Sequence, residues 1–171
     1  MTSCREVATA ASRYDVRPAS LRDMATDIVM TTDCDATVEE VFAYVDDYRN
    51  VPQWLFGIQR FEPVGDTDQG LGAVFDAVMH LGTTLRSRIE VVAWEQDRLI
   101  AFDSVKGFKN SSRWTFERAG SGTRITAEVS YSLPFGPAGK AVGKVIEPFV
   151  KQAVHHSSRH LKEQVEGTSH R

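Results

Sequence analysis

The sequence predicts an α+β fold: a seven-stranded antiparallel sheet covered on one face by a long C-terminal helix, with two short helices between strands one and two. Three observations carry this. Between residues 58 and 133, six segments of alternating apolar and polar residues follow one another with short, mostly glycine-containing breaks and no helical pattern between them, so neighbouring strands are joined by hairpins and run antiparallel. Each segment is greasier on one side than the other, and a sheet with one apolar face must be covered. The last long segment, about Ala138 to Val165, carries a broad apolar stripe at helical spacing that supplies the cover.

Residues 1–24 mix Arg5, Arg13, Arg17 and Arg22 with Glu6, Asp15 and Asp23 and hold no sustained period; they are expected to form a mobile arm. A membrane-surface helix there is disfavoured by the scarcity of large apolar residues. The ordered domain is expected to span 25–166, with a disordered tail at 167–171. It opens with "TDIVMTTD", in which Ile28 and Met30 take one side of a strand and Val29 and Thr31 the other. Thr37 followed by Glu40 is a capping box that starts a helix. Along it Val38, Val41, Phe42 and Val45 form the apolar stripe. Pro52 biases Val51 away from helical angles, so this helix is expected to end near Asn50, with a short second turn after it.

The six following strands are expected at Ile58–Val64, Ala73–Leu81, Thr84–Trp94, Leu99–Ser104, Ser111–Arg118 and Thr123–Leu133. The last alternates most clearly: Ile125, Ala127, Val129, Tyr131 and Leu133 against Arg124, Thr126, Glu128, Ser130 and Ser132. By the same logic Trp114 and Phe116 oppose Arg113 and Glu117. Leu85, Ile89 and Val91 oppose Arg86, Arg88 and Glu90, and Phe75, Ala77 and Met79 oppose Asp76 and His80. The charged sides read as a solvated face with cross-strand ion pairs. The closing helix places Val142, Val145, Ile146, Phe149, Val150, Ala153, Ser157 and Leu161 on its stripe, and Pro148 within it predicts a kink or local break.

A chain of 171 residues with a formal charge of −3 buries enough surface for a core without staples, and lacks the basic field that non-specific nucleic-acid binding needs. Two cysteines, Cys4 and Cys34, make no disulfide framework and lack zinc spacing, which favours a reducing cytoplasm. No apolar run approaches the roughly 20 residues of a membrane span. The stretch "YSLPFGPAGKAVGK" has a strand, glycines and lysines, but Gly139 and Gly143 have the wrong spacing for a phosphate loop, and Val145 stands where Ser or Thr is needed. His156 and His160 share one side of the helix without an HExxH pattern or third ligand, so histidines bridging core and solvent are favoured over a metal site. No nucleophile elbow is present, and neither cysteine has a histidine nearby in sequence.

The element order, with "DATVEEVFAYVDDYRNVPQW", "GLGAVF", "GTRITAEVSYSLP" and "EPFVKQAVHHSSRHLKEQVE", resembles the START-like or SRPBCC superfamily and within it the polyketide cyclase/dehydrase-like group. The likeness runs from about Thr26 to Val165. It implies the helix-grip, Bet v 1-like fold: a strongly curved sheet wrapped around the C-terminal helix, with a hollow between them that commonly holds an apolar small molecule. Trp54 would then line or close the hollow, or serve as ordinary core. The lining expected on this basis is Trp54, Phe56, Phe75, Met79, Phe102, Trp114, Phe116, Tyr131 and Phe149.

Binding of a lipid, isoprenoid or polyketide-like molecule is the leading expectation, by a monomer or a dimer through the sheet edge, with no cofactor or metal. A cyclase, aromatase or dehydrase using the same hollow is the alternative. Tyr131 and Ser87, the polar groups whose phase points them inward, are its candidate catalytic residues. A protein-interaction module with a filled core is a further alternative.

Overall fold

The computed structural model describes residues 25–133 and 136–169; the expected arm, 1–24, lies outside the described residues. Strand β1 (Ala25–Cys34) leads into helix α1 (Val38–Asp46), a 3-10 turn (Tyr48–Asn50) and the short helix α2 (Val51–Trp54). Strands β2 (Ile58–Pro63), β3 (Val74–His80), β4 (Thr84–Glu95), β5 (Leu99–Gly107), β6 (Lys109–Ala119) and β7 (Gly122–Ser132) follow, and helix α3 (Gly136–Ser169) closes the chain. The strands form one antiparallel sheet in the order β1-β7-β6-β5-β4-β3-β2. Consecutive strands from β2 to β7 are neighbours, while β1 returns to pair with β7 from Ala25 opposite Ser132 to Cys34 opposite Thr123.

Register irregularities at Ile58/Arg60, Arg88/Ile89 and Val91/Ala93 are where extra residues bend and twist the paired strands, and they help curl the sheet. The last of them also changes which residues face inward. Trp94 packs beside Phe42, with ring centroids 5.6 Å apart, and its indole N–H donates to Asp46 Oδ1 at 3.0 Å. Helix α1 buries Val38, Val41, Phe42 and Val45, and α3 adds Leu161 and Val165 to the same core cluster. On the outer face, the cross-strand partners Asp33 and Arg124, and Asp76 and Arg88, form paired hydrogen bonds of 2.8–3.0 Å. The guanidinium groups hold both carboxyls below the usual range.

The capping box is complete. Glu40 N–H donates to Thr37 Oγ1 at 3.3 Å, and Thr37 N–H donates to Glu40 Oε2 at 2.9 Å. Thr37→Ala is expected to cost about 1 kcal/mol, measurable as a lower urea midpoint with an unchanged slope.

Four expectations need correction. Helix α1 stops at Asp46 rather than near Asn50, because Asp47 takes an extended conformation and its carboxylate caps the following turn through Arg49 N–H at 3.0 Å. Of the kink or local break expected at Pro148, the break is absent: helix α3 runs unbroken through this residue, which is exposed, so water can replace the lost backbone bond on that side. Val145 is 42% exposed rather than part of the buried stripe, whereas Ile146 is fully buried. The helix also continues to Ser169, into the expected tail, of which residues 170 and 171 lie outside the described residues. The side chains of Val142, Phe149 and Val150 lie outside them as well.

Candidate ligand cavity

Curling the sheet against α2 and α3 leaves a cavity of about 160 Å³. Inward side chains from all seven strands form much of its wall, including Ile28 and Met30 from β1, Val129 and Tyr131 from β7, and Asn110, Ser112 and Trp114 from β6. Phe102, Ile89, Ala77, Met79, Ile58 and Phe61 continue it across β5 to β2. The helical side supplies Val45, Val51, Trp54, Leu55, Phe56, Ala153 and Ser157; the hairpin residues Leu81 and Phe108 complete the wall.

Alternation explains this assembly: antiparallel partners project to the same face. Asn110 lies opposite Tyr131, Ser112 opposite Val129, and Trp114 opposite Ala127. The helical side is held by Ser157, whose Oγ accepts from Phe56 N–H at 2.9 Å. Phe56 also stacks on His156, with ring centroids 5.3 Å apart.

The polar atoms around the cavity have unequal commitments. Ser112 Oγ accepts from Trp114 Nε1 at 3.3 Å. Ser87 Oγ lies 2.7 Å from the Phe108 carbonyl and 3.1 Å from Asn110 Oδ1. Tyr131 is 7% exposed, with its ring stacked near Phe108 at 6.2 Å. Trp54 is 3% exposed and meets Trp114 edge-on at 5.0 Å. Its buried Nε1 has no hydrogen-bond partner among the described residues. Among those residues, no lining side chain is Asp, Glu, Lys, Arg or His.

Six of the expected lining residues therefore meet at the cavity: Trp54, Phe56, Met79, Phe102, Trp114 and Tyr131. Phe75 and Phe116 do not. Phe75 sits behind the lining residue Phe61, stacked at 4.8 Å, and Phe116 packs edge-on against Phe42 at 5.4 Å under helix α1. Ser87 is 5% exposed, bonds to the Phe108 carbonyl and Asn110 Oδ1, and is not among the cavity wall residues; it borders a second cleft on the sheet instead. The reading of Phe149 as lining concerns a side chain outside the described residues. Asn110 and Ser112 were missed, although extending the Trp114 phase back along β6 points both inward. The Ser157 contact with Phe56 has no local sequence signal because it joins distant parts of the chain.

Other chemistry is less organised. Cys34 is buried, and desolvation pushes its thiol above the usual range, which disfavours a nucleophilic thiolate. Among the described residues, no group of three or more His, Cys, Asp or Glu side chains is placed to hold a metal ion. No described helix is long and apolar enough to cross a membrane. A second, more open cleft on the sheet contains Arg60, Arg86, Arg88 and Lys106 with Asp76; Arg88 is engaged by Asp76.

A family profile described as "Polyketide cyclase / dehydrase and lipid transport" matches residues 25–166. No curated protein matches in sequence. Among solved structures, TTHA0849 from Thermus thermophilus aligns with a TM-score of 0.72 at 22% identity, covering 84% of this chain and 99% of that one. A START superfamily protein from Mycobacterium smegmatis gives 0.67 at 18%, covering 83% and 98%. The di-domain ARO/CYC StfQ from the steffimycin biosynthetic pathway gives 0.67 at 14%, covering 89% of this chain and 54% of that one. At these identities the structural likenesses establish the fold.

Proposed function

This chain belongs to the polyketide cyclase / dehydrase and lipid transport family, and from that premise we propose that it encloses a small, predominantly apolar molecule between the sheet and helix α3. The observation that carries the reading is the cavity itself, with aromatic and aliphatic walls and a few polar groups. Removing apolar ligand surface from water would supply about 25 cal/mol per Å², while hydroxyl and amide groups would select orientation. Native mass spectrometry of the purified protein, followed by denaturing extraction, tests this directly. A stoichiometric apolar adduct supports the reading. Failure to bind a panel of compact apolar molecules at concentrations approaching their solubility would count against it.

A second reading, a cyclase, aromatase or dehydrase acting in the same cavity, is favoured specifically by Tyr131. This residue lines the cavity, with its ring stacked near Phe108, and in this reading its hydroxyl donates to a substrate carbonyl. Tyr131→Phe is then expected to reduce turnover of a bound polyketide-like substrate by about 10²-fold or more, with affinity changed by less than about fivefold. Equal losses in turnover and affinity would make Tyr131 a binding residue.

A further inference from the structure

We propose that the cleft on the outer face of the sheet is a second binding site, independent of the cavity, and that it takes a phosphate monoester dianion. The cleft measures about 240 Å³ and gathers Arg60 from β2, Arg86 and Arg88 from β4 and Lys106 from β5 around the carboxylate of Asp76 on β3. Register explains the convergence. Val78 is the partner of both Arg60 and Arg86, and Arg88 is the partner of both Asp76 and Lys106, so the four cations occupy two neighbouring rows on one face. A register irregularity brings in Lys106: Ile89 pairs with Ser104 but Arg88 pairs with Lys106, leaving Val105 as the extra residue. Without it Lys106 would lie opposite Ser87, in the inward phase of the lining residue Ile89. The bulge turns it outward, beside the arginines.

The charges in the cleft do not cancel. Asp76 is held by paired hydrogen bonds from Arg88 at 2.8 and 3.0 Å, and Arg60 meets Glu62 at 3.2 Å. Arg86 and Lys106 have no ion pair among the described residues. Four cations against two carboxylates leave a surplus of two positive charges on a chain whose formal charge is −3. That surplus is the complement of a dianion and exceeds what a monoanion needs. Arginine presents a planar fork of donors matched to phosphate oxygens, and lysine adds a point charge. Arg86 and Lys106 are exposed, so they meet such a group at the surface, and the same exposure limits affinity to about the millimolar range.

Glycerol phosphate tests the site in the full chain, because it is a phosphate monoester too polar to favour the apolar cavity. At constant ionic strength, and at a pH well above its second pKa of about 6, it should give saturable shifts of the Arg86, Arg88 and Lys106 backbone amides. Acetate should bind about tenfold more weakly or less. Arg86→Gln combined with Lys106→Gln should weaken glycerol phosphate binding about tenfold; both side chains are exposed, so the fold should hold. Sedimentation with phosphatidylcholine vesicles, with and without phosphatidic acid, separates the sources. Glycerol phosphate binding together with retention on the phosphatidic acid vesicles alone assigns the phosphate to a lipid headgroup, and binding without retention assigns it to a free ester. Shifts that fail to saturate, that chloride reproduces, or that persist unchanged in the folded double variant would overturn the inference, as would vesicle retention without glycerol phosphate binding. Each of these outcomes leaves binding of apolar probes in the cavity untouched.

Discussion

Ala153→Phe should remove ligand binding while leaving the protein folded. Ala153 projects from α3 into the cavity wall and is only partly buried, so its backbone sits on an element that can tolerate a larger side chain. The added ring is comparable with what a cavity of about 160 Å³ can accept. The variant should lose any co-purifying apolar adduct and bind compact apolar probes at least tenfold more weakly, about 1.4 kcal/mol. Thermal stability should hold or rise, since filling an apolar void restores lost packing contacts. A folded variant that retains the same adduct at the same occupancy would place binding elsewhere.

Gly107→Ala should be among the most damaging single-methyl substitutions in the sheet. Gly107 has φ +85°, and an added Cβ would stand 2.3 Å from the Arg86 carbonyl oxygen and 3.3 Å from Ser87 Cα. Those atoms cannot move independently, because Ser87 pairs with Gly107 and Phe108 N–H donates to the same Arg86 carbonyl at 2.9 Å. A loss of about 3 kcal/mol or more is expected from strain and the displaced ladder. Gly65 provides the control: its φ is +96°, but an added Cβ would meet nothing within 4 Å, so Gly65→Ala should cost only about 1–2 kcal/mol. Equilibrium denaturation of both variants checks the difference; equal costs would mean that backbone conformation, rather than the clash, governs both. The Gly107 variant should also disturb the cavity, because the next residue supplies both the Phe108 wall and the carbonyl beside Ser87.

The strands were legible because alternation is a local property. Tyr131 and Trp114 could be assigned to the inner face from their own neighbours, and the antiparallel register preserves that assignment. The capping box at Thr37 and Glu40 was equally local. Which inward residues border empty space was not, because that depends on the third dimension. Phe75 has the inward phase of Met79, yet Phe61 stacks in front of it and takes the place at the cavity. Helix termination near Asp47 likewise turned on a choice between continuing the helix and bonding a side chain to the next turn. Periodicity alone does not weigh those two outcomes. The lone indole N–H of Trp54 had no sequence signature at all, because an unmet hydrogen bond is a property of every neighbour that fails to reach it.

The return of β1 to β7 sets a schedule for synthesis. Ala25 faces Ser132 and Cys34 faces Thr123, so the first strand leaves the ribosome long before its sheet neighbour has been made. At roughly 5–20 residues per second this interval lasts several seconds or more. During that time "ATDIVMTTDC" is an unpaired β-prone segment, while the hairpins from β2 onward can close as they emerge. The nascent sheet therefore grows toward its beginning, and its earliest strand is the one most in need of protection until the last arrives.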